Sequence, residues 1–324
     1  MGYSTMRPYK IIHNTPAALA LLLALVSLLA QACSRVPEDN GLQPGKLNVM
    51  ASTTIVADVV RSVGGEAVQV TSLLPPNSDP HSFEPTPQDV ARMDSADVIF
   101  LNGAGMERPL ELLIQKSGVQ ATVVSVSEGV ALRDFDAAAG DVHEEDEHQG
   151  ADPHVYMDPN NVAIWVDNIA ETLAGLDPTH AEAYQANAQK YKAELENLDQ
   201  WIKEQVAQTP VENRKLVSDH SLFGYFAERY GFTQVGAVIP SYTSVAEPSA
   251  QELAELQNKI RELGVKAIFV DRAVNPALSE RIAEDTGIPV VLVYTGSLGE
   301  EGGEAGSYIE FIRYNVNAIV NALK

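Results

Sequence analysis

Apolar residues along most of this chain alternate between two spacings, which predict strands followed by helices. Residues 47–51 form a short apolar run, and positions 55, 56, 59, 60 and 63 then follow helical spacing until Gly64-Gly65. The same order recurs up to residue 125 and again between residues 215 and 323. Strands that alternate with helices predict an α/β fold with two lobes, each holding a mostly parallel sheet flanked by helices.

One long helix is predicted between the two halves, over residues 178–208, where glycine is absent. Its apolar residues alternate by four and three positions: Tyr184, Ala188, Tyr191, Leu195, Leu198 and Ile202. A coiled-coil partner would produce the same stripe, but six positions suffice to dock a rigid connecting helix across two lobes. We therefore expect an N-terminal lobe at residues 46–177 and a C-terminal lobe at residues 209–324.

The first 32 residues have the pattern of a signal peptide. Two basic residues precede an apolar stretch at 17–30, which is too short to span a membrane. Small residues lead to Cys33, as in a bacterial lipobox, so we expect residues 1–32 to be removed and Cys33 to be lipidated. Gln31 is unusual in a lipobox, which leaves plain secretion as the alternative. Residues 33–45 lack periodicity and are expected to form a tether.

Composition narrows the class of protein further. Cys33 is the only cysteine of the 324 residues, so an internal disulfide is excluded and the core must stabilise the fold. The formal net charge of −22 makes nucleic acid and anionic membrane surfaces poor partners. Contact with a membrane is therefore expected only through a lipid anchor.

Three histidines occur in similar local settings. His81 and His154 each follow an Asp-Pro pair, and His220 follows Asp219. Proline restricts its own backbone and that of the preceding residue, so each Asp-Pro-His is expected on a constrained loop after a strand. His220 is expected at a strand-to-helix junction. Because ligands collect at the carboxyl ends of parallel strands, all three imidazoles can share one metal site, and three with an open position favour zinc.

An acidic segment at residues 141–150 contains His143 and His148. Charges of one sign at this density stay solvated. The segment is expected to be either a plain acidic surface loop or a weak accessory site that captures cations.

Three sequence runs carry a family resemblance: LPPNSDPHSFEPTPQD at 74–89, DPHVYMDP at 152–159 and HSLFGYFAERYG at 220–231. Together they resemble the zinc and manganese substrate-binding proteins of ABC transporters, the cluster A-I family. The resemblance implies two α/β lobes joined by one helix, with the metal between them. It also implies an extracytoplasmic location, in the periplasm or on the cell membrane through the lipid, and a transmembrane permease as partner. We expect the protein to act as a monomer.

By this resemblance, His81, His154 and His220 are the first three metal ligands. Manganese-type members tend to carry a carboxylate where His220 stands, so Zn²⁺ is the predicted transported ligand, with Mn²⁺ or Fe²⁺ as alternatives. Many members supply an aspartate as fourth ligand where this chain has Gly296. Asp271 is the first candidate to replace it, and it could instead cap the next helix or orient a ligand histidine. The other candidates are water, Glu300, Glu301 or an acid of the 141–150 segment.

Two functions of other classes compete with transport. A zinc hydrolase also uses three histidines with an open position, but the chain lacks a His-Glu-x-x-His motif, so no enzymatic activity is expected. A lipid anchor would also suit a surface adhesin, although no sequence feature specifies a host partner.

Overall fold

The computed structural model describes residues 1–2, 45–134 and 150–324. Strands and helices alternate in its first half: β1 (Leu47–Ala51), α1 (Thr54–Gly64), β2 (Val68–Ser72), α2 (Pro87–Asp94), β3 (Val98–Leu101), α3 (Arg108–Ser117) and β4 (Thr122–Ser125). Two longer helices follow, α4 (Pro159–Leu176) and α5 (Ala181–Val206). The alternation then resumes: β5 (Lys215–His220), α6 (Gly224–Tyr230), β6 (Thr233–Ile239), α7 (Ala250–Leu263), β7 (Ile268–Asp271), α8 (Ala277–Thr286), β8 (Val290–Val293) and α9 (Tyr308–Leu323).

The strands form two four-stranded sheets in which every neighbouring pair is parallel. The strand orders are β2-β1-β3-β4 and β6-β5-β7-β8, so each half begins on an inner strand and the chain then extends the sheet on both sides of it. This arrangement leaves a crevice beyond the carboxyl ends of the two inner strands, where open α/β sheets bind ligands. The predicted fold of two parallel-sheet lobes is confirmed.

Local sequence signals explain where the helices begin. Thr53 caps α1 by accepting a hydrogen bond from the backbone N–H of Val56. At α2, Thr86 and Asp89 form a reciprocal capping box, with Pro87 in the first turn. Apolar residues predicted on the inner face of α1 are buried against β1, because their spacing puts them on one side of the helix.

Helix α5 connects the two halves of the chain and packs against helices of both. All six residues of its predicted stripe are buried, and they belong to one continuous apolar core with residues of both sheets. Helix α5 contacts α1 and α4 on the first-half side and α6 and α9 on the second-half side. The apolar stripe of α5 is therefore covered by other parts of the same chain, as expected for a helix docked across two lobes. The lobe boundaries at 46–177 and 209–324 stay predictions.

Helix α4 is absent from the predicted elements, although the sequence contains its signals. Asp158 caps the helix and Pro159 stands in its first turn. Its buried residues follow a spacing of three and four: Val162, Trp165, Val166, Ile169, Ala170 and Leu173. No helix is predicted for residues 159–176 from the sequence, and in the structure this helix packs against α5.

In the described part of the chain, no helix has both the length and the apolar character needed to cross a bilayer. The predicted signal peptide and Cys33 lie outside the described residues, as do His143 and His148.

Candidate metal centre

His81 lies in the loop that follows β2. The carboxylate Oδ1 of Asp79 accepts a hydrogen bond from the backbone N–H of His81 at 2.9 Å, which closes a tight turn around Pro80. His81 is the one partly exposed residue of the three histidines. The predicted setting, a constrained Asp-Pro-His loop after a strand, is confirmed for this residue.

His154 lies in the connection between β4 and α4, directly before a 3₁₀ turn, Val155–Met157, that leads into the helix. Residues 126–134 and 150–153 of this connection form no strand, and residues 135–149 lie outside the described part of the chain. The constrained loop after a strand stays a prediction for His154. Oδ1 of Asp152 accepts both the backbone N–H of His154 at 3.0 Å and its ring Nδ1–H at 2.9 Å, which fixes the ring.

His220 is the last residue of β5, at the carboxyl end of an inner strand. Oδ1 of Asp219 accepts its backbone N–H at 2.8 Å and its ring Nδ1–H at 3.0 Å. The other oxygen of Asp219 accepts the backbone N–H of Asp271 at 2.8 Å, so this carboxylate ties β5 to β7. The expected strand-to-helix position of His220 is confirmed.

The three imidazoles converge through their Nε2 atoms. His154 Nε2 lies 3.2 Å from His81 Nε2 and 3.3 Å from His220 Nε2. Three nitrogens bound tetrahedrally to one zinc ion at the usual 2.0–2.1 Å are about 3.3 Å apart. The Nδ1 atoms of His154 and His220 donate to carboxylates, so the Nε2 lone pairs are free to face a shared cation.

Burial and neighbouring charges set the protonation of the three rings. Burial, followed by the charges of His220 and His154, lowers the pKa of His81 well below 6.5. Burial likewise lowers the pKa of His154 well below 6.5. Burial also opposes a charged His220, but the Asp219 carboxylate outweighs it and raises the pKa of His220 above 6.5. Two rings therefore stay neutral near pH 7, and His220 is the first to take up a proton.

Asp271, the predicted fourth ligand, lies close to the histidines but is engaged elsewhere. Its Oδ1 accepts the backbone N–H of Ala273 at 2.7 Å. Its Oδ2 accepts the backbone N–H groups of Thr295 at 3.2 Å and Gly296 at 3.0 Å, together with the Thr295 hydroxyl. Among the described residues, the group of mutually close potential ligand atoms contains the three histidines and not this carboxylate. A ligand role for Asp271 stays a prediction.

Two of the other acids considered for the fourth position, Glu300 and Glu301, lie on the surface, and the acids of the 141–150 segment lie outside the described residues. Glu300 is exposed and accepts a hydrogen bond from Asn77 at 3.3 Å, and Glu301 is also exposed. Gly296 packs against Pro80 so closely that a Cβ added there would lie 2.4 Å from the Cδ atom of Pro80. The space that a side chain at position 296 would need is thus filled by the loop that carries His81.

A buried polar network beneath His154 is not predicted from the sequence. Glu107 accepts hydrogen bonds from the Ser52 hydroxyl and from the backbone N–H groups of Asn102 at 2.7 Å and Gly103 at 3.1 Å. The Asn102 side chain in turn donates to the carbonyl of Pro153 at 3.1 Å. Burial raises the pKa of Glu107 to about 7. This network fixes the backbone next to His154 from the first sheet.

The carboxylates that orient the rings, Asp152 and Asp219, are also new relative to the sequence predictions. A signal for them exists, since an aspartate stands one or two positions before each of the three histidines. The sequence does not show that these aspartates bind Nδ1 of the histidines, which the structure does for Asp152 and Asp219.

Comparisons with known proteins show which family this chain belongs to. The family described as "ZnuA: Zinc-uptake complex component A periplasmic" matches residues 49–322. Manganese-binding lipoprotein MntA of Halalkalibacterium halodurans is 33% identical, over 94% of this chain and 97% of its own length. Manganese ABC transporter substrate-binding lipoprotein PsaA of Streptococcus anginosus is 30% identical, with 94% and 97% covered.

Two solved structures have the same fold. The periplasmic zinc-binding protein TroA of Treponema pallidum superimposes with a TM-score of 0.75 at 26% identity, over 86% of this chain and 99% of its own. A manganese-bound mutant of the periplasmic metal-binding protein of Candidatus Liberibacter asiaticus gives a TM-score of 0.75 at 25% identity, over 86% and 100%. The chain therefore belongs to the ZnuA family, whose members are metal-binding proteins of ABC transporters and not enzymes.

Proposed function

We propose that this protein captures Zn²⁺ outside the cytoplasmic membrane and delivers it to the transmembrane permease of an ABC transporter. The observation that carries the proposal is the convergence of three Nε2 atoms, at 3.2 and 3.3 Å, from both halves of the fold. A cation bound there joins the two lobes. A permease can then distinguish loaded from empty protein by how the lobes are held together.

The donor set supports zinc as the cargo. Imidazole nitrogen suits zinc, whereas manganese favours carboxylate and water oxygens. Asp152 and Asp219, the carboxylates beside the rings, each use one oxygen to accept an Nδ1–H, and Asp271 accepts backbone N–H groups. A three-nitrogen site with these carboxylates in supporting roles leaves one position for water or a rearranged carboxylate.

Manganese is the second candidate cargo, because both relatives described above are named for manganese. A competitive titration of the purified, metal-free protein with Zn²⁺ and Mn²⁺ separates the two. If the three imidazoles set the preference, Zn²⁺ binds with one equivalent and at least about 100-fold more tightly than Mn²⁺. Equal affinities, or a preference for Mn²⁺, would transfer the assignment to manganese.

Two histidine variants test whether the site itself is assigned correctly. His154→Ala removes the central ring of the group, so one-equivalent binding should be lost. His180→Ala serves as the matched control, since His180 is bonded to Asp177 at 2.5 Å and lies outside the group. If both variants bind zinc as the unmodified protein does, the metal is held elsewhere.

The lipid anchor is a separate part of the proposal. We expect Cys33 to carry the lipid after removal of residues 1–32, so the protein should fractionate with the membrane and Cys33→Ser should be released into the soluble fraction. Recovery of unmodified protein with a free cysteine would favour plain secretion.

A further inference from the structure

A loop of the second lobe crosses the mouth of the metal cleft. It follows β6, and its base is attached beside His220, where the Ser241 carbonyl accepts the backbone N–H of Ser221 at 2.8 Å. Its tip reaches the first lobe at two points. The Ser244 hydroxyl donates to Oδ2 of Asp79 at 2.5 Å, and the Tyr242 hydroxyl donates to the carbonyl of Asp134 at 3.2 Å.

Asp79 joins this loop to a metal ligand. Its Oδ1 accepts the backbone N–H of His81 at 2.9 Å, while its Oδ2 accepts the Ser244 hydroxyl. One carboxylate therefore orients the His81 loop and connects it to the opposite lobe. Because His81 is the ligand that is partly exposed, a metal ion leaves the group most directly on this side.

The same loop forms one wall of a cavity beside His81. The cavity has a volume of about 160 Å³, with residues 241–243 on one side and Ala104, Gly105 and Pro153 of the first lobe on the other. The ring of Tyr242 also lies 6.3 Å from that of His154. Movement of the loop away from Asp79 would widen this opening and remove one of the contacts that hold the His81 loop to the second lobe.

We propose that Ser244 acts as a latch: its hydrogen bond to Asp79 holds the second-lobe loop across the cleft and slows release of the metal. This role rests on the proposed function, since it requires a metal ion bound by the three histidines. Ser244 is a positioning residue, because it acts on the His81 loop through the Asp79 carboxylate. Release to a permease would require this bond to break, which makes it a site at which docking can trigger delivery.

The rate of metal release tests the latch. Zinc-loaded protein is mixed rapidly with excess chromogenic chelator, and the dissociation rate is compared among variants. A hydrogen bond to a charged acceptor at a partly exposed position is worth roughly a tenfold change. Ser244→Ala should therefore release zinc about tenfold faster, while Ser244→Thr, which keeps the hydroxyl, should stay close to the unmodified rate. Val245→Ala is the control, because Val245 is in the same loop and its side chain is 58% exposed.

A double-mutant cycle separates the latch from a general loss of structure. In an Asp79→Ala background the hydroxyl has lost its acceptor, so adding Ser244→Ala should not accelerate release further. Melting temperatures of the metal-free variants should fall by no more than about 5 °C, as expected for the loss of one hydrogen bond. An unchanged release rate in Ser244→Ala, or an equal acceleration in both backgrounds, would overturn the proposal. If the unmodified protein binds no zinc at the three histidines, the proposed function fails and not merely the latch.

Discussion

Replacing Gly296 with alanine should weaken metal binding although residue 296 is not a ligand. A Cβ at this position would lie 2.4 Å from Cδ and 3.0 Å from Cγ of Pro80, well inside the 3.5–4.0 Å at which carbon atoms are in favourable contact. The proline ring is part of the backbone and cannot rotate away, so the loop that carries His81 has to move.

The cost can be worked out from the contacts that this movement disturbs. The loop is held to the second lobe by hydrogen bonds from Asn77 N to the Leu298 carbonyl at 3.0 Å and from Ser78 N to the Ser297 hydroxyl at 2.9 Å. Overpacking costs about 1–3 kcal/mol. If bound metal holds His81 in place, about 2 kcal/mol of strain is present in the metal-bound protein and absent from the metal-free protein. Zinc binding is then about 30-fold weaker.

Zinc affinity by chelator competition is the assay, together with thermal unfolding of the metal-free protein. Gly175→Ala is the matched control, because a Cβ at residue 175 in helix α4 meets no atom within 4 Å. This control should bind zinc normally and be slightly more stable, as alanine favours helix over glycine. Gly296→Asp should also bind more weakly, since its carboxylate can approach the metal only after Pro80 is displaced. If Gly296→Ala binds zinc within twofold of the unmodified protein, the close packing has no role in holding His81.

Three further predictions concern protonation and packing. Zinc affinity should fall by at least about tenfold between about pH 7.5 and pH 5.5, because His220, whose pKa is raised above 6.5, must lose its proton to bind metal. Isothermal titration at both pH values checks this, and a flat profile contradicts it. Gly224→Ala should weaken zinc binding several-fold in the same titration, because the added Cβ would lie 2.6 Å from Oδ2 of Asp152. Asp152 is the carboxylate that orients His154, and an unchanged affinity would rule out this steric effect. Glu107→Gln should remove a pH dependence of stability. The pKa of Glu107 is raised from 4.5 to about 7, so its contribution is fully present below pH 4.5 and is lost as pH rises through about 7. In urea unfolding of the metal-free proteins, the unmodified chain should lose about 1.4 kcal/mol more than Glu107→Gln between about pH 6 and pH 8.5, and equal losses would contradict the assignment.

The fold was largely predictable because local signals and global packing agree. Apolar periodicity identifies the strands and most helices, and capping residues such as Thr53 and Thr86 place their starts. The stripe of the long helix predicts its docking for the same reason. Helix α4 is missing from the predicted elements, although the spacing of its apolar residues and its capping residue are the same kinds of local signal.

The three histidines were predictable because similar short contexts repeat around them. The contacts between lobes that hold the histidine loops in place were not, because those contacts join positions far apart in the chain. Ser244 and Asp79 are separated by 165 positions, and Gly296 and Pro80 meet only when the two lobes close on each other. The polar groups beneath His154 likewise depend on which strands are neighbours, a relation that no local pattern contains.

X-ray absorption at the zinc edge, on protein loaded with one equivalent of Zn²⁺, tests the shared site most directly. Three imidazole nitrogens at about 2.0–2.1 Å, reduced in number by His154→Ala and unchanged by His180→Ala, are the expected result. A spectrum with one or no imidazole in the first coordination sphere would show that His81, His154 and His220 do not bind one ion together.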